Sequence, residues 1–169
     1  EQGMGLDTML DTPERSVVYG MGAGGADNCP PGAYCVENAG TYAPKLSLRD
    51  ALAQSPNTTF IELIQKVGVE PTVDMAVRLG LRSYAADGTY DGERSIEQAA
   101  AEGNMGSFVL GPLAVNALEL SNVGASIASG GRWCSSGSWA PARPASASAS
   151  RRCSASWRRS QGWPARPAM

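Results

Sequence analysis

The chain has 169 residues, 14 basic and 16 acidic side chains, and no histidine. That length suits one domain with one core, and the missing histidine excludes Ser-His-Asp and Cys-His catalysis and histidine-ligated metals. The net charge of −2 hides two unlike parts: residues 1–132 hold 8 basic and 16 acidic residues, and residues 133–169 hold 6 arginines and no acid.

Residues 1–46 are rich in Gly, Pro, Asn and Asp and show little periodicity. Ser16-Val17-Val18-Tyr19 suits a short strand, and the rest reads as loop. Glu1 to Leu6 resembles the end of a helix already under way, so Glu1 is not expected to be a natural start. No apolar run approaches ~20 residues and no signal peptide is present, so no membrane span is expected.

Regular order is expected from Ser47. Ser47-Leu48-Arg49-Asp50 is a capping-box-like start with an acid near the positive end of the helix dipole, and Leu48, Ala51 and Leu52 share one face. Ser55 as N-cap and Pro56 as first helical residue predict a second helix. It carries Phe60, Ile61, Leu63, Ile64 and Val67 at helical spacing and ends at Gly68. A third helix is expected from Pro71, with Val73, Ala76, Val77 and Leu79 before Gly80. Ser95-Ile96-Glu97-Gln98 is a capping box opening a short helix that Gly103 closes. Gly111-Pro112 should open the longest helix, buried along Leu113, Ala117, Leu118, Gly124, Ile127 and Ala128 and running into Gly130-Gly131. These spacings predict a cluster of helices joined by long loops, with no sheet specified.

Three local patterns invite a chemical reading. Gly20-Met21-Gly22-Ala23-Gly24-Gly25 matches G-x-G-x-x-G, but Asp27 to Gly32 cannot form the helix whose N-terminus would hold a pyrophosphate, so a flexible loop is expected and no cofactor. Asp87, Asp91 and Glu93 lack the alternating spacing of an EF-hand loop, so solvated turns and no metal are expected. Cys29 and Cys35 flank Pro30-Pro31-Gly32; a disulfide and two free thiols are both open readings.

Ser55-Pro56-Asn57 is the pattern with the most chemistry in it. A hydroxyl and a carboxamide two residues apart at a helix start can both face a cleft. The hydroxyl can relay a proton, and the carboxamide can donate to a carbonyl and accept from an ammonium. Alone the tripeptide is also adequately explained as a helix cap.

Residues 133–169 contain 9 Ser, 8 Ala, 6 Arg and 4 Pro, all four Trp of the chain, and no Leu, Ile, Val, Phe or Lys. Such a segment has little to bury and is not expected to pack as a domain. It suits either a basic tail attracted to anionic surfaces or GC-rich DNA translated out of frame; the many Trp and absent Lys favour the second.

Leu48-Arg49-Asp50-Ala51-Leu52-Ala53-Gln54-Ser55-Pro56-Asn57-Thr58-Thr59-Phe60 closely resembles the stretch around the S-x-N motif of class A penicillin-binding proteins. The resemblance continues through Val67-Gly68, Ala76 to Leu81, Gly106 to Gly111 and Leu118 to Gly131, and is closest to actinobacterial-type members. It implies an α+β penicillin-binding, serine β-lactamase-like transpeptidase fold, partial here, over residues 1–132. It also implies a peptidoglycan D,D-transpeptidase acting outside the cytoplasm. Its partners would be D-Ala-D-Ala stem peptides and β-lactams, with no nucleic acid, and it would meet the membrane only through an anchor not included here.

The family uses three motifs, S-x-x-K, S-x-N and K-T-G. Only the middle one has a counterpart: Ser55, which would shuttle protons, and Asn57, which would orient substrate. The only lysines are Lys45 and Lys66, and neither lies in an S-x-x-K or a K-T-G. The chain alone is therefore expected to be inactive, marginally stable and left with exposed apolar helix faces. Two other readings stand beside this: a non-catalytic penicillin-recognising or sensor domain of the same fold, and a small secreted structural protein in which Ser55 to Asn57 only cap a helix.

Overall fold

The computed structural model describes residues 3–131; the 133–169 segment lies outside the described residues. Among these are five strands, five α-helices and two 3-10 turns. They divide into two compact units, one of residues 3–74 and 86–114, the other of residues 75–85 and 115–131.

The first unit departs most from the sequence reading, because order begins well before Ser47. Strands β1 (Met9–Asp11), β2 (Arg15–Tyr19), β3 (Gly24–Gly25), β4 (Ala33–Glu37) and β5 (Lys45–Ser47) form two small sheets. β1 pairs antiparallel with β5, with Leu10 opposite Leu46. β4 is central in the other sheet, antiparallel to β2 (Val17 opposite Cys35) and parallel to β3. Residues 3–5 are not helical.

The strands are short, and turn-forming residues dominate the composition between them. Their burial is nonetheless strand-like: Val18 is buried and Val17 exposed on β2, while Ala33, Cys35 and Val36 of β4 are buried. Of the glycine run expected to be a flexible loop, Gly24 and Gly25 belong to this ladder. Gly25 has φ +94, and a Cβ there would lie 2.1 Å from the carbonyl oxygen of Cys35, so only glycine lets β3 approach β4.

The helices follow the sequence more closely. Helix α1 (Leu48–Gln54) starts at Ser47, whose hydroxyl accepts from the Asp50 N–H. Ala51 is fully buried but Leu52 points to solvent. Helix α2 (Asn57–Val67) buries Thr58, Thr59, Ile61 and Ile64. It stops at Gly68, whose N–H donates to Ile64 at 2.8 Å. Helix α3 (Val69–Leu79) starts two residues before Pro71; Pro71 is tolerated because first-turn N–H groups have no helical partner. Helix α4 (Ile96–Glu102) has the full capping box, with Ser95 and Gln98 donating to each other's side chains from their backbone N–H groups at 3.0 and 3.1 Å.

One core gathers these elements: Val18 and Met21, Val36 of β4, Ile61 and Ile64 of α2, Val69 and Val73 of α3, and Ala100 of α4. The 3-10 turn Gly106–Leu110 packs Phe108, Val109 and Leu110 against it. Gly106 lies so close to Met21 that a Cβ would meet the Met21 Cβ at 3.0 Å.

The second unit corrects the expectation for the last helix. Gly111 sits at φ +72 and ends the 3-10 turn, and Pro112 follows a helix end, where its missing N–H cannot break a ladder. Helix α5 (Ala117–Ala128) begins only after Asn116, whose side chain accepts from the Leu118 N–H at 2.9 Å. The expected buried face is open: Leu118 is 61% and Ile127 63% exposed, and Ser126 alone on the helix is buried. In the same unit the Glu119 carboxylate accepts from the Ser83 N–H at 3.0 Å and the Ser83 hydroxyl at 2.6 Å. Tyr84 beside it is buried, and that burial, with the Glu119 charge second, pushes its phenol pKa up.

Candidate functional site

The α1–α2 junction differs from its sequence reading in one informative way. Ser55 is not the N-cap of α2. It ends α1, at φ 58 and ψ 46, and its N–H donates to Ala51 at 2.7 Å. Pro56 takes the N-cap position and Asn57 is the first helical residue. The left-handed turn that ends a helix is normally a glycine position, because a Cβ there costs roughly 1 kcal/mol. Pro56 is fully buried, which anchors the turn and leaves Ser55 exposed. The Ser55 hydroxyl makes no hydrogen bond among the described residues.

Proline carries no side-chain acceptor, so α2 begins without a cap of its own. The acceptor comes from Asn38, 20 residues earlier, whose Oδ1 takes the Thr58 N–H at 3.0 Å. The Asn38 amide nitrogen donates to the Thr58 hydroxyl at 2.9 Å and to the Pro13 carbonyl at 3.0 Å. The Thr58 hydroxyl in turn donates to Pro13 at 2.7 Å. Asn57 Nδ2 donates to the Glu37 carbonyl at 3.0 Å, next to Asn38. One Asn57 N–H and its Oδ1 are left for another partner.

Thr59 completes the junction. Its hydroxyl reaches the Asp11 carbonyl at 3.3 Å and lies 2.8 Å from the Thr12 hydroxyl. Because Thr59 donates to the carbonyl, Thr12 donates to Thr59. Asn57, Thr58 and Thr59 thus tie α2 to the β1–β2 connection and to the end of β4. The sequence singles out Ser55 and Asn57 as candidates; Asn38, Thr12, Thr58 and Thr59, which tie the junction together, carry no motif, and reading Ser55 as the N-cap left no orphan N–H to point to Asn38.

Both lysines are ion-paired. Lys45 pairs with Asp11 at 2.5 Å and Lys66 with Glu62 at 3.1 Å. The Asp11 hydrogen bond and charge raise the Lys45 pKa, which holds its proton more firmly. Cys29 and Cys35 form a disulfide with a Cα–Cα distance of 5.6 Å, which closes the loop entering β4 and therefore steadies the strand that leads to Glu37 and Asn38.

Asp91 shows how the acidic turns are used. Its carboxylate accepts from the Arg94 and Glu93 N–H groups at 2.8 and 3.1 Å and from the Arg94 guanidinium at 2.8 Å. These bonds, the Arg94 N–H first, lower its pKa to about 2. The carboxylate is spent on its own turn. Among the described residues no group of three or more Cys, Asp or Glu is placed to hold a metal ion, and no helix is long and apolar enough to cross a membrane.

Residues 28–135 match the family model described as the penicillin binding protein transpeptidase domain. No curated protein and no solved structure matches the chain.

Proposed function

Because this chain belongs to the penicillin-binding transpeptidase family, we propose that it is part of a peptidoglycan D,D-transpeptidase of class A and actinobacterial type, with Ser55 and Asn57 as its S-x-N motif. In such a reaction a nucleophilic serine attacks the penultimate D-Ala carbonyl and the terminal D-Ala leaves. The amine of a second stem peptide then resolves the acyl-enzyme. Ser55 relays the leaving-group proton, and the free N–H of Asn57 donates to the substrate carbonyl while its Oδ1 accepts from an ammonium.

The observation that carries this reading is the backbone of Ser55. A glycine would suit φ 58 better, yet the position holds a serine with an exposed, unbonded hydroxyl. A backbone that costs stability beneath an exposed polar side chain supports a functional reading of that side chain. The adjacent Asn57 is fixed through one N–H and open through its other polar atoms.

Residues 1–132 are the partial transpeptidase domain on this proposal, working on the outer face of the cell membrane. The family match ending at residue 135 supports a boundary where the Arg-, Ser- and Trp-rich segment begins. The chain by itself forms no acyl-enzyme, because its two lysines lie outside an S-x-x-K and are held in ion pairs. A fluorescent penicillin should leave it unlabelled on a denaturing gel. Diacetyl-Lys-D-Ala-D-Ala at millimolar concentration should shift the NMR resonances of Ser55 and Asn57, and its L-Ala-L-Ala isomer should not. Covalent labelling would overturn the inactivity. Equal response to the two isomers, or none, would overturn the assigned roles and leave a non-catalytic domain of the same family.

A further inference from the structure

We propose that Asn38 is the positioning residue of the Ser55–Asn57 pair, a role that rests on the functional reading above only for its consequence in substrate binding. The geometry carries it. Helix α2 starts at Pro56, which cannot cap, and the N–H of its second residue, Thr58, is taken by Asn38 Oδ1 at 3.0 Å. That is the bond a serine or aspartate N-cap would supply from within the helix; here it comes from the end of β4. The same carboxamide donates to Thr58 and to Pro13. Its own N–H donates to the Glu14 carbonyl at 3.2 Å, so Asn38 is held from the backbone side as well.

Asn57 is bonded to the Glu37 carbonyl, one peptide away from Asn38. The rotation of the Asn57 amide and the start of α2 are therefore set by the same two-residue segment. Ser55 is separated from that start by the buried Pro56 alone. A shift of Thr58 relative to Glu37 would reorient Asn57 and relax the left-handed turn at Ser55. Pairing of β4 to β2 and β3 holds the segment, which makes the sheet the support for the motif.

The test is NMR on the full chain with Asn38→Ala and Asn38→Asp, and with Ser95→Ala as a control that removes a cap of similar worth from α4. Asn38→Ala should speed amide exchange at Thr58 by roughly tenfold, the loss expected of a helix cap, and move the Asn57 side-chain amide resonances toward free-asparagine values. Asn38→Asp keeps an acceptor for the Thr58 N–H and regains a donor toward Pro13 when its carboxyl is protonated, so it should restore Thr58 protection at a pH below the carboxyl pKa. Ser95→Ala should change neither signal. Unchanged Thr58 exchange and Asn57 resonances in Asn38→Ala would overturn the proposal. If the alanine chain does not fold, Asn38→Asp at that pH decides: a protected Thr58 N–H supports it and an unprotected one overturns it. In the peptide titration Asn38→Ala should weaken binding severalfold against Ser95→Ala. Equal binding by those two variants, with the Asn57 signal displaced in the first, would overturn the substrate role and not the positioning.

Discussion

The buried pair Thr12 and Thr59 gives the sharpest quantitative test of the junction. Both side chains are buried, at 5% and 0% exposure, and their hydroxyls lie 2.8 Å apart. Thr59 also donates to the Asp11 carbonyl, whereas Thr12 has Thr59 as its partner. The two valine substitutions are therefore unequal although the chemistry removed is the same. Thr12→Val loses one neutral hydrogen bond and strands nothing, so it should cost about 1 kcal/mol. Thr59→Val loses two and leaves the Thr12 hydroxyl buried without a partner, so it should cost about 3 kcal/mol. The double variant strands no hydroxyl and should cost about 2 kcal/mol, less than Thr59→Val alone. Urea unfolding followed by far-UV circular dichroism measures all four chains; tryptophan emission does not suit, since every Trp lies at or beyond residue 133. Additive costs, or a double variant less stable than Thr59→Val, would refute the assigned network.

Further substitutions test other parts of the molecule. Ser55→Gly should stabilise the chain by up to about 1 kcal/mol by releasing the left-handed turn, while Ser55→Ala should change stability by less than about 0.5 kcal/mol because the hydroxyl is unbonded; urea midpoints decide both. Ile61→Ala, at a fully buried position in the core, should cost about 2–4 kcal/mol in the same assay. Reducing the Cys29–Cys35 bond opens a loop with a sequence separation of 6 and should cost about 2 kcal/mol, read as a lower midpoint in reductant. Asp91 binds its partners as the anion, so its contribution is full above the ordinary carboxylate pKa and is lost as pH falls through about 2; carboxyl NMR should show that midpoint, and a value near 4 would refute the turn geometry. Coding DNA through both ends should carry S-x-x-K before Glu1 and, in a shifted frame past Trp133, K-T-G.

Much of the helical part follows from local rules. Ser47 and Ser95 cap because a hydroxyl followed by Asp50 or Gln98 can satisfy first-turn N–H groups with atoms three residues away. Gly68 stops α2 for an equally local reason. Residues 26–32 form no helix after the G-x-G-x-x-G run, as their Pro, Gly and Asn content indicates. The resemblance around Ser55 to Phe60 pointed to the family that the match over residues 28–135 shows.

What tertiary structure decided is where local signals were silent or misleading. Ala33 to Glu37 sits among Pro, Gly and Asn, and becomes a central strand because β2 and β3 bond to both its edges. Ser55 has the composition of an N-cap, but the burial of Pro56 and the borrowed acceptor of Asn38 move the cap off the helix and turn Ser55 outward. Apolar spacing on α5 predicts burial, which requires a second surface, and Leu118 and Ile127 remain exposed. The sequence by itself determined that helices α1 to α4 form, because caps and periodicity act within a few residues. Tertiary structure decided which backbone groups hold the α1–α2 junction in place, because hydrogen bonds spanning 20 to 48 residues leave no pattern in the order of the chain.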